Sequence, residues 1–167
     1  MRSTQVSFEG ATGATLAATL DEPDGETIAT GIFAHCFTCS KNLKVVPNIT
    51  RMLAAEGLAT LRFDFTGLGQ SGGDFAETSF STNLADLAAA AEFLAGQGRA
   101  PRFLVGHSLG GAAVLASAGE LGSVRCVAVI GAPSDPAHVR HLITDADFDE
   151  HDRARVSIGG RPFEIGR

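Results

Sequence analysis

The stretch FLVGHSLGG, residues 103–111, decides how this chain folds. The apolar residues before it predict a short β-strand over 102–105, and the small residues after it predict a helix over 110–119. Glycines two positions before and after Ser108 leave room for a sharp turn from strand to helix. Such a turn strains the backbone at Ser108 and presents its hydroxyl to a cleft. The pattern therefore predicts a serine nucleophile, with the amide of Leu109 at the positive end of the helix as an oxyanion donor.

Apolar runs and helical periodicity alternate on both sides of this turn. The predicted strands cover residues 27–34, 58–63 and 124–130, and the predicted helices cover residues 45–56 and 80–94. Two short β-prone runs, 5–8 and 15–20, predict an antiparallel hairpin at the start of the chain. Alternating strands and helices form right-handed crossovers. We therefore expect one α/β domain over 1–167, a three-layer α/β/α sandwich with a mainly parallel sheet and an antiparallel N-terminal hairpin.

Composition narrows the classes of partner. The chain has 167 residues, a net charge of −6, and neither Trp nor Tyr. No broad basic face or aromatic stacking platform is expected, so no nucleic-acid partner is predicted. The first residues lack the apolar core of a signal peptide, and no stretch is long and apolar enough to span a bilayer. These features predict a cytoplasmic protein that does not bind a membrane.

Two cysteines, Cys36 and Cys39, lie in the stretch HCFTCSK, residues 35–41, directly after a predicted strand. The total of three cysteines is odd and no secretion signal precedes them, so we expect free thiols. A dithiol redox pair is a rival interpretation, favoured by nearby lysines that would lower a thiol pKa. No helix begins where such a pair needs one. Zinc would require a further ligand, and Cys126 falls in a distant strand, so no metal is predicted.

A glycine-rich stretch, DFTGLGQSG at residues 64–72, follows the strand 58–63. No lysine occupies the position that a phosphate-binding loop requires, and the glycine spacing does not fit a dinucleotide site. We therefore predict no cofactor. The stretch is expected to support the cleft from below.

These three motifs together resemble the α/β-hydrolases. In that superfamily a His-Gly-X loop completes the oxyanion hole, and His35-Cys36-Phe37 stands in its place here. With the stretches 131–138 and 158–163, the resemblance is closest to the hydrolase domain of bacterial bifunctional α/β-hydrolase/OsmC proteins. It implies a serine hydrolase that acts on a small-molecule ester or amide. It also implies that the amide of Phe37 is the second oxyanion donor, with Cys36 as the second choice, although cysteine adopts positive φ less freely than glycine.

The same resemblance implies an acid and a histidine in later strands, yet no histidine follows Arg155. We therefore expect a domain that ends after its sixth strand and lacks the C-terminal strands. Asp135 is then the candidate acid and His138 the candidate base, with His141 and His151 as further histidines nearby. The alternative is a catalytically incomplete fragment or binding module that keeps the fold without the triad acid and histidine.

Loss of later strands would leave the strand 124–130 at the edge of the sheet. An edge strand presents unpaired amides and carbonyls to any chain that can pair with them. We therefore expect self-association through 124–130, or a hairpin over 155–165, turning at two glycines, that folds across this edge.

Overall fold

The computed structural model of the protein describes residues 1–36, 38–135, 153–158 and 161–166. The strands in these residues are β1 Arg2–Glu9, β2 Thr15–Glu22, β3 Ala29–Ala34, β4 Leu58–Phe63, β5 Phe103–His107, β6 Cys126–Ile130, β7 Arg153–Ile158 and β8 Arg161–Gly166. The helices are α1 Val45–Ala55, α2 Phe80–Gly96 and α3 Leu109–Ser117, with a short 3₁₀ helix at Phe75–Glu77. No helix within the described residues is long and apolar enough to cross a membrane.

Six strands form the main sheet in the order β1-β2-β4-β3-β5-β6. The pairs β1/β2 and β2/β4 are antiparallel, whereas β4, β3, β5 and β6 run parallel to one another. The predicted N-terminal hairpin and the mainly parallel sheet are both confirmed. Because the parallel strands share one direction, their carboxyl ends meet at one edge of the sheet, where Ser108 follows β5.

Helices cover both faces of this sheet, as the alternation of side chains along β3 requires. Phe33 of β3 packs with Val46 of α1 on one face. Its neighbour Ile32 packs on the other face with Leu87 of α2 and Val114 of α3. The five side chains are at most 1% exposed, and burial of each stabilises the fold by about 1.5–3 kcal/mol. The predicted three-layer α/β/α arrangement is confirmed.

Strand β6 forms one edge of the main sheet and is paired along one side to β5. Val129 and Ile130 are 42% and 41% exposed, and Leu115 on the adjacent α3 is 54% exposed. Within the described residues β6 is therefore an edge strand, as predicted. Self-association through it stays a prediction.

Strands β7 and β8 form the predicted hairpin, but it lies elsewhere than across that edge. They make a separate two-stranded antiparallel sheet beside the 3₁₀ helix. The ring of Phe163 lies 5.5 Å from that of Phe75, and the Arg153 guanidinium donates to Asp74 Oδ2 at 2.8 Å and to Glu77 Oε1 at 2.7 Å. The expectation that the hairpin covers β6 is wrong for the described residues, because its aromatic and charged contacts lie at the 3₁₀ helix.

Candidate active site

Ser108 occupies the turn between β5 and α3 with φ 54° and ψ −123°. In the described residues, Thr38 is the other non-glycine residue with positive φ. Residues other than glycine rarely adopt such a backbone conformation. The amide of Ser108 donates to the Ile130 carbonyl at 2.9 Å, and its carbonyl accepts from the Gly111 amide at 2.8 Å. The predicted strained turn is therefore present, held between β6 and the first turn of α3.

The glycines around Ser108 are required by close backbone contacts. A Cβ on Gly106 would lie 2.4 Å from the Gly110 carbonyl oxygen. A Cβ on Gly110 would lie 2.3 Å from the His35 carbonyl oxygen and 2.4 Å from that of Ala34. The second contact also joins the two predicted parts of the site, because it brings the loop after β3 directly against the start of α3.

Of the two predicted oxyanion donors, the structure describes Leu109 only. Leu109 is the first residue of α3, and the first amides of a helix have no acceptor within the helix. These amides and the helix dipole make this end of α3 attractive to negative charge. Phe37, the predicted second donor, lies outside the described residues. Its neighbours Cys36 and Thr38 are both buried.

Cys36 and Cys39 form a disulfide, with Cα atoms 5.3 Å apart. The prediction of free thiols is therefore wrong. The backbone explains the pairing, because the amide of Cys39 donates to the Cys36 carbonyl at 3.1 Å and closes a turn that brings the two residues together. The remaining cysteine, Cys126, is a free and exposed thiol on β6.

Positive φ in this loop falls on Thr38, at 60°, and not on Cys36. Cys36 therefore does not need the positive φ that favours glycine, since that conformation occurs two residues later. Thr38 is β-branched and buried, which makes positive φ especially unfavourable there. The disulfide spans this residue and closes the loop around it.

His35 lies beneath the loop and is 1% exposed. Its Nδ1 lies 2.8 Å from the Cys36 carbonyl, and because a carbonyl only accepts, Nδ1 carries the proton. In the neutral ring Nε2 is then an acceptor that lies 3.8 Å from the acceptor Asp64 Oδ1. Within the described residues Nε2 has no hydrogen-bond partner. Burial lowers the pKa of His35, and the charge of Asp64 opposes that effect only in part.

Asp64, at the end of β4, binds the far end of the same loop. Its Oδ1 accepts from the Lys41 amide at 2.6 Å, and its Oδ2 accepts from Lys41 Nζ at 2.6 Å. The Gln70 amide donates to the same carboxylate at 3.0 Å, and the Gln70 side chain accepts from Lys41 Nζ at 2.8 Å. Both charged groups are buried, and each of them makes hydrogen bonds in addition to the ion pair.

Arg62, two residues before Asp64, also binds the end of this loop at Lys41. Its Nη1 donates to the Lys41 carbonyl at 2.9 Å, and its Nε donates to Asp21 Oδ2 at 2.7 Å. Burial raises the pKa of Asp21, but hydrogen bonds from Arg62, Ser3 and Thr50 together outweigh burial and leave that pKa below its usual value. The carboxylate therefore stays charged and holds Arg62 in place.

The glycine-rich stretch packs around the end of β4. Ser71 Oγ donates to the Asp64 carbonyl at 2.6 Å and accepts from the Ala17 amide at 2.9 Å. Gly69 has φ 56°, and a Cβ there would lie 2.3 Å from the Asp64 side chain. The stretch thus shapes the end of β4 around the Asp64 carboxylate.

Of the remaining predicted site residues, the structure describes only some. Asp135 is exposed and follows β6 at the same edge of the sheet as Ser108. His138, His141 and His151 lie outside the described residues. His107 ends β5 and is partly buried.

Sequence reasoning missed the pairing of Lys41 with Asp64. The signal was available, since Lys41 follows β3 closely and Asp64 follows β4 directly, and β3 and β4 are parallel neighbours. Loops that follow adjacent parallel strands meet at one edge of the sheet. A lysine and an aspartate at these positions therefore indicate a pair across the cleft floor.

The sequence profile described as "Serine aminopeptidase, S33" matches residues 37–142. The chain belongs to this family. It is an α/β-hydrolase, and Ser108 lies in the turn between β5 and α3. No curated protein sequence matches the chain significantly.

Solved structures agree with the family. The esterase domain of a Rhodothermus marinus protein is 54% identical with a TM-score of 0.77, over 99% of this chain and 65% of that one. A Xanthomonas campestris protein, described as a serine hydrolase without a lid, is 27% identical with a TM-score of 0.65, over 75% of this chain and 61% of that one. A Pyrococcus furiosus esterase shares the fold at 22% identity and a TM-score of 0.69, over 79% of this chain and 52% of its own. The chain thus spans about two thirds or less of each of these structures.

Proposed function

We propose that this chain hydrolyses carboxylic esters of small molecules through Ser108. The Ser108 hydroxyl attacks the acyl carbon, the alcohol leaves as the bond to the acyl group breaks, and water then releases the acid from the acyl-enzyme. The amides of Leu109 and Phe37 are the proposed donors to the oxyanion that forms during each step.

One observation carries the proposal, the backbone conformation of Ser108. A serine with φ 54° between a strand and a helix is strained, and such strain persists where the surrounding structure enforces it. Close packing of Gly106 and Gly110 enforces it here. Ser108 is also the N-cap residue of α3, and a hydroxyl near the free amides at the start of a helix suits acyl transfer.

An ester is preferred to an amide as substrate because of the neighbours. The structure at 54% identity is described as an esterase domain, and the Pyrococcus furiosus neighbour as an esterase. The family description names an aminopeptidase, so amides form the second substrate class to test.

Asp135 is the proposed acid and His138 the proposed base. The hydrogen bond from the Ser108 amide to the Ile130 carbonyl supports this, because it fixes the end of β6 beside the nucleophile. Asp135 follows that end within five residues. A base at His138 would take the Ser108 proton and return it to the leaving group.

Finer features are proposed on the sequence alone. They are membership of the bifunctional α/β-hydrolase/OsmC group, a cytoplasmic location and self-association through the 124–130 strand.

The test compares Ser108→Ala with the matched control Ser134→Ala, an exposed serine after β6. The unmodified protein and Ser134→Ala should hydrolyse p-nitrophenyl acetate and react with a fluorophosphonate probe, whereas Ser108→Ala should do neither. Amino-acid p-nitroanilides, assayed in parallel, rank amides against esters. Probe labelling that survives in Ser108→Ala would refute the nucleophile. Ester binding by calorimetry, with neither turnover nor labelling, would identify a binding module instead.

A further inference from the structure

The Cys36–Cys39 disulfide lies within residues 35–41, the loop that carries the proposed oxyanion donor Phe37. We call this segment the oxyanion loop. The contacts described above anchor both ends of this loop independently of the disulfide. At its start, the His35 carbonyl lies directly against Gly110 of α3. At its end, Lys41 is bound through its amide and ammonium by Asp64 and through its carbonyl by Arg62.

Between these anchors the disulfide is the principal constraint in the described residues. The hydrogen bond from the Cys39 amide to the Cys36 carbonyl, 3.1 Å long, is the backbone bond that closes the same turn. Thr38 inside the turn has φ 60°, a conformation that a β-branched residue leaves readily when it is released. Without the disulfide we expect the turn between Cys36 and Cys39 to relax.

The two cysteines differ in exposure. Cys36 is 8% exposed, whereas Cys39 is partly exposed. A thiolate from solvent therefore reaches Cys39 first, since exchange depends on access to the attacked sulfur. Lys41 Nζ donates to Asp64 and Gln70, so its charge is not directed at the cysteine sulfur atoms.

We propose that this disulfide is an exchange site for low-molecular-weight thiols, and that its reduction slows Ser108 by releasing the oxyanion loop. The inference rests on the proposed function for its effect on Ser108. A thiolate attacks Cys39 Sγ, the bond between the cysteines breaks, and Cys36 leaves as a thiolate that takes a proton from water. A second thiol attacks the mixed disulfide and frees Cys39. Two small thiols are thereby oxidised to one disulfide as the protein disulfide is reduced to two thiols.

The expected effect follows from the geometry of oxyanion stabilisation. Removing one oxyanion donor slows turnover by about 10² to 10³ fold, and displacing a group by an ångström slows it by about 10² fold. Relaxation of the loop should therefore slow Ser108 by at least about tenfold. The fold should persist, because the anchors at Gly110, Asp64 and Arg62 do not involve the cysteines.

The experiment uses a Cys126→Ser background, which removes the free thiol on β6. Protein is equilibrated with oxidised or reduced glutathione, thiols are trapped with iodoacetamide, and mass spectrometry counts them. The oxidised sample should trap none and the reduced sample two. In the same samples, fluorophosphonate labelling of Ser108 should be at least about tenfold slower after reduction and should recover on reoxidation. A Cys36→Ser/Cys39→Ser variant should stay slow whether or not thiol is added.

A second readout, hydrogen exchange of the amides of residues 36–40, does not depend on the reactivity of Ser108. These amides should exchange faster after reduction, whereas those of 104–112 should not change. If Ser108 reacts in neither state, the proposed function fails, and faster exchange after reduction still supports the release of the loop. Two thiols trapped before any reduction would overturn the proposal. Equal labelling and equal exchange in fully oxidised and fully reduced protein would overturn it as well.

Discussion

Replacing Ser108 by glycine should make the protein more stable while it removes the nucleophile. Serine at φ 54° and ψ −123° holds its Cβ in a sparsely populated conformation, which costs about 1–3 kcal/mol. Glycine removes that cost but loses about 0.5–1 kcal/mol through the greater freedom of the unfolded chain. Ser108→Ala keeps the Cβ and removes the same hydroxyl. We therefore expect Ser108→Gly to exceed Ser108→Ala in free energy of unfolding by about 1 kcal/mol.

Urea unfolding followed by circular dichroism measures this difference. With a denaturant slope of about 2 kcal/mol per molar, the midpoint for Ser108→Gly should lie about 0.5 M above that for Ser108→Ala. The control pair is Ser134→Gly and Ser134→Ala, since Ser134 is exposed and has no positive φ. There glycine should be equal to alanine or less stable. If glycine is no more stable than alanine at position 108, the backbone is not strained and the nucleophile assignment loses its structural basis.

Two further predictions concern the groups beneath the oxyanion loop. Asp64→Asn leaves the buried Lys41 ammonium without its carboxylate and should lower the free energy of unfolding by about 3–5 kcal/mol. The exposed Asp24→Asn should change it by less than about 0.5 kcal/mol, and equal losses in urea would contradict the buried pair. Because burial lowers the pKa of His35 below its usual 6.5, the unfolded chain binds a proton that the folded chain does not, so stability should fall as pH decreases below that value. His35→Asn should reduce this slope between pH 6.5 and 5 in urea titrations, and an unchanged slope would exclude His35 as its source.

Local sequence determined the helices and strands and predicted the turn that carries the proposed nucleophile. The glycine spacing around Ser108 predicted the turn after β5, because a Cβ on Gly106 would meet the Gly110 carbonyl across that turn. Apolar periodicity likewise predicted β4 at 58–63 and α1 from 45, since each has one or two faces to bury. These features depend on neighbours within a few residues along the chain.

The tertiary structure decided which distant groups meet. The Cys36–Cys39 disulfide, predicted as free thiols, is an exception with a local cause, because a turn between the two residues brings their Cα atoms to 5.3 Å. The hairpin β7–β8 joins the 3₁₀ helix instead of the edge at β6, because Phe163 and Arg153 find their partners there. Lys41 and Asp64 meet because β3 and β4 are parallel neighbours. Periodicity predicts which face of an element is buried, whereas pairing requires that two elements end at the same place, and only the packed sheet determines that.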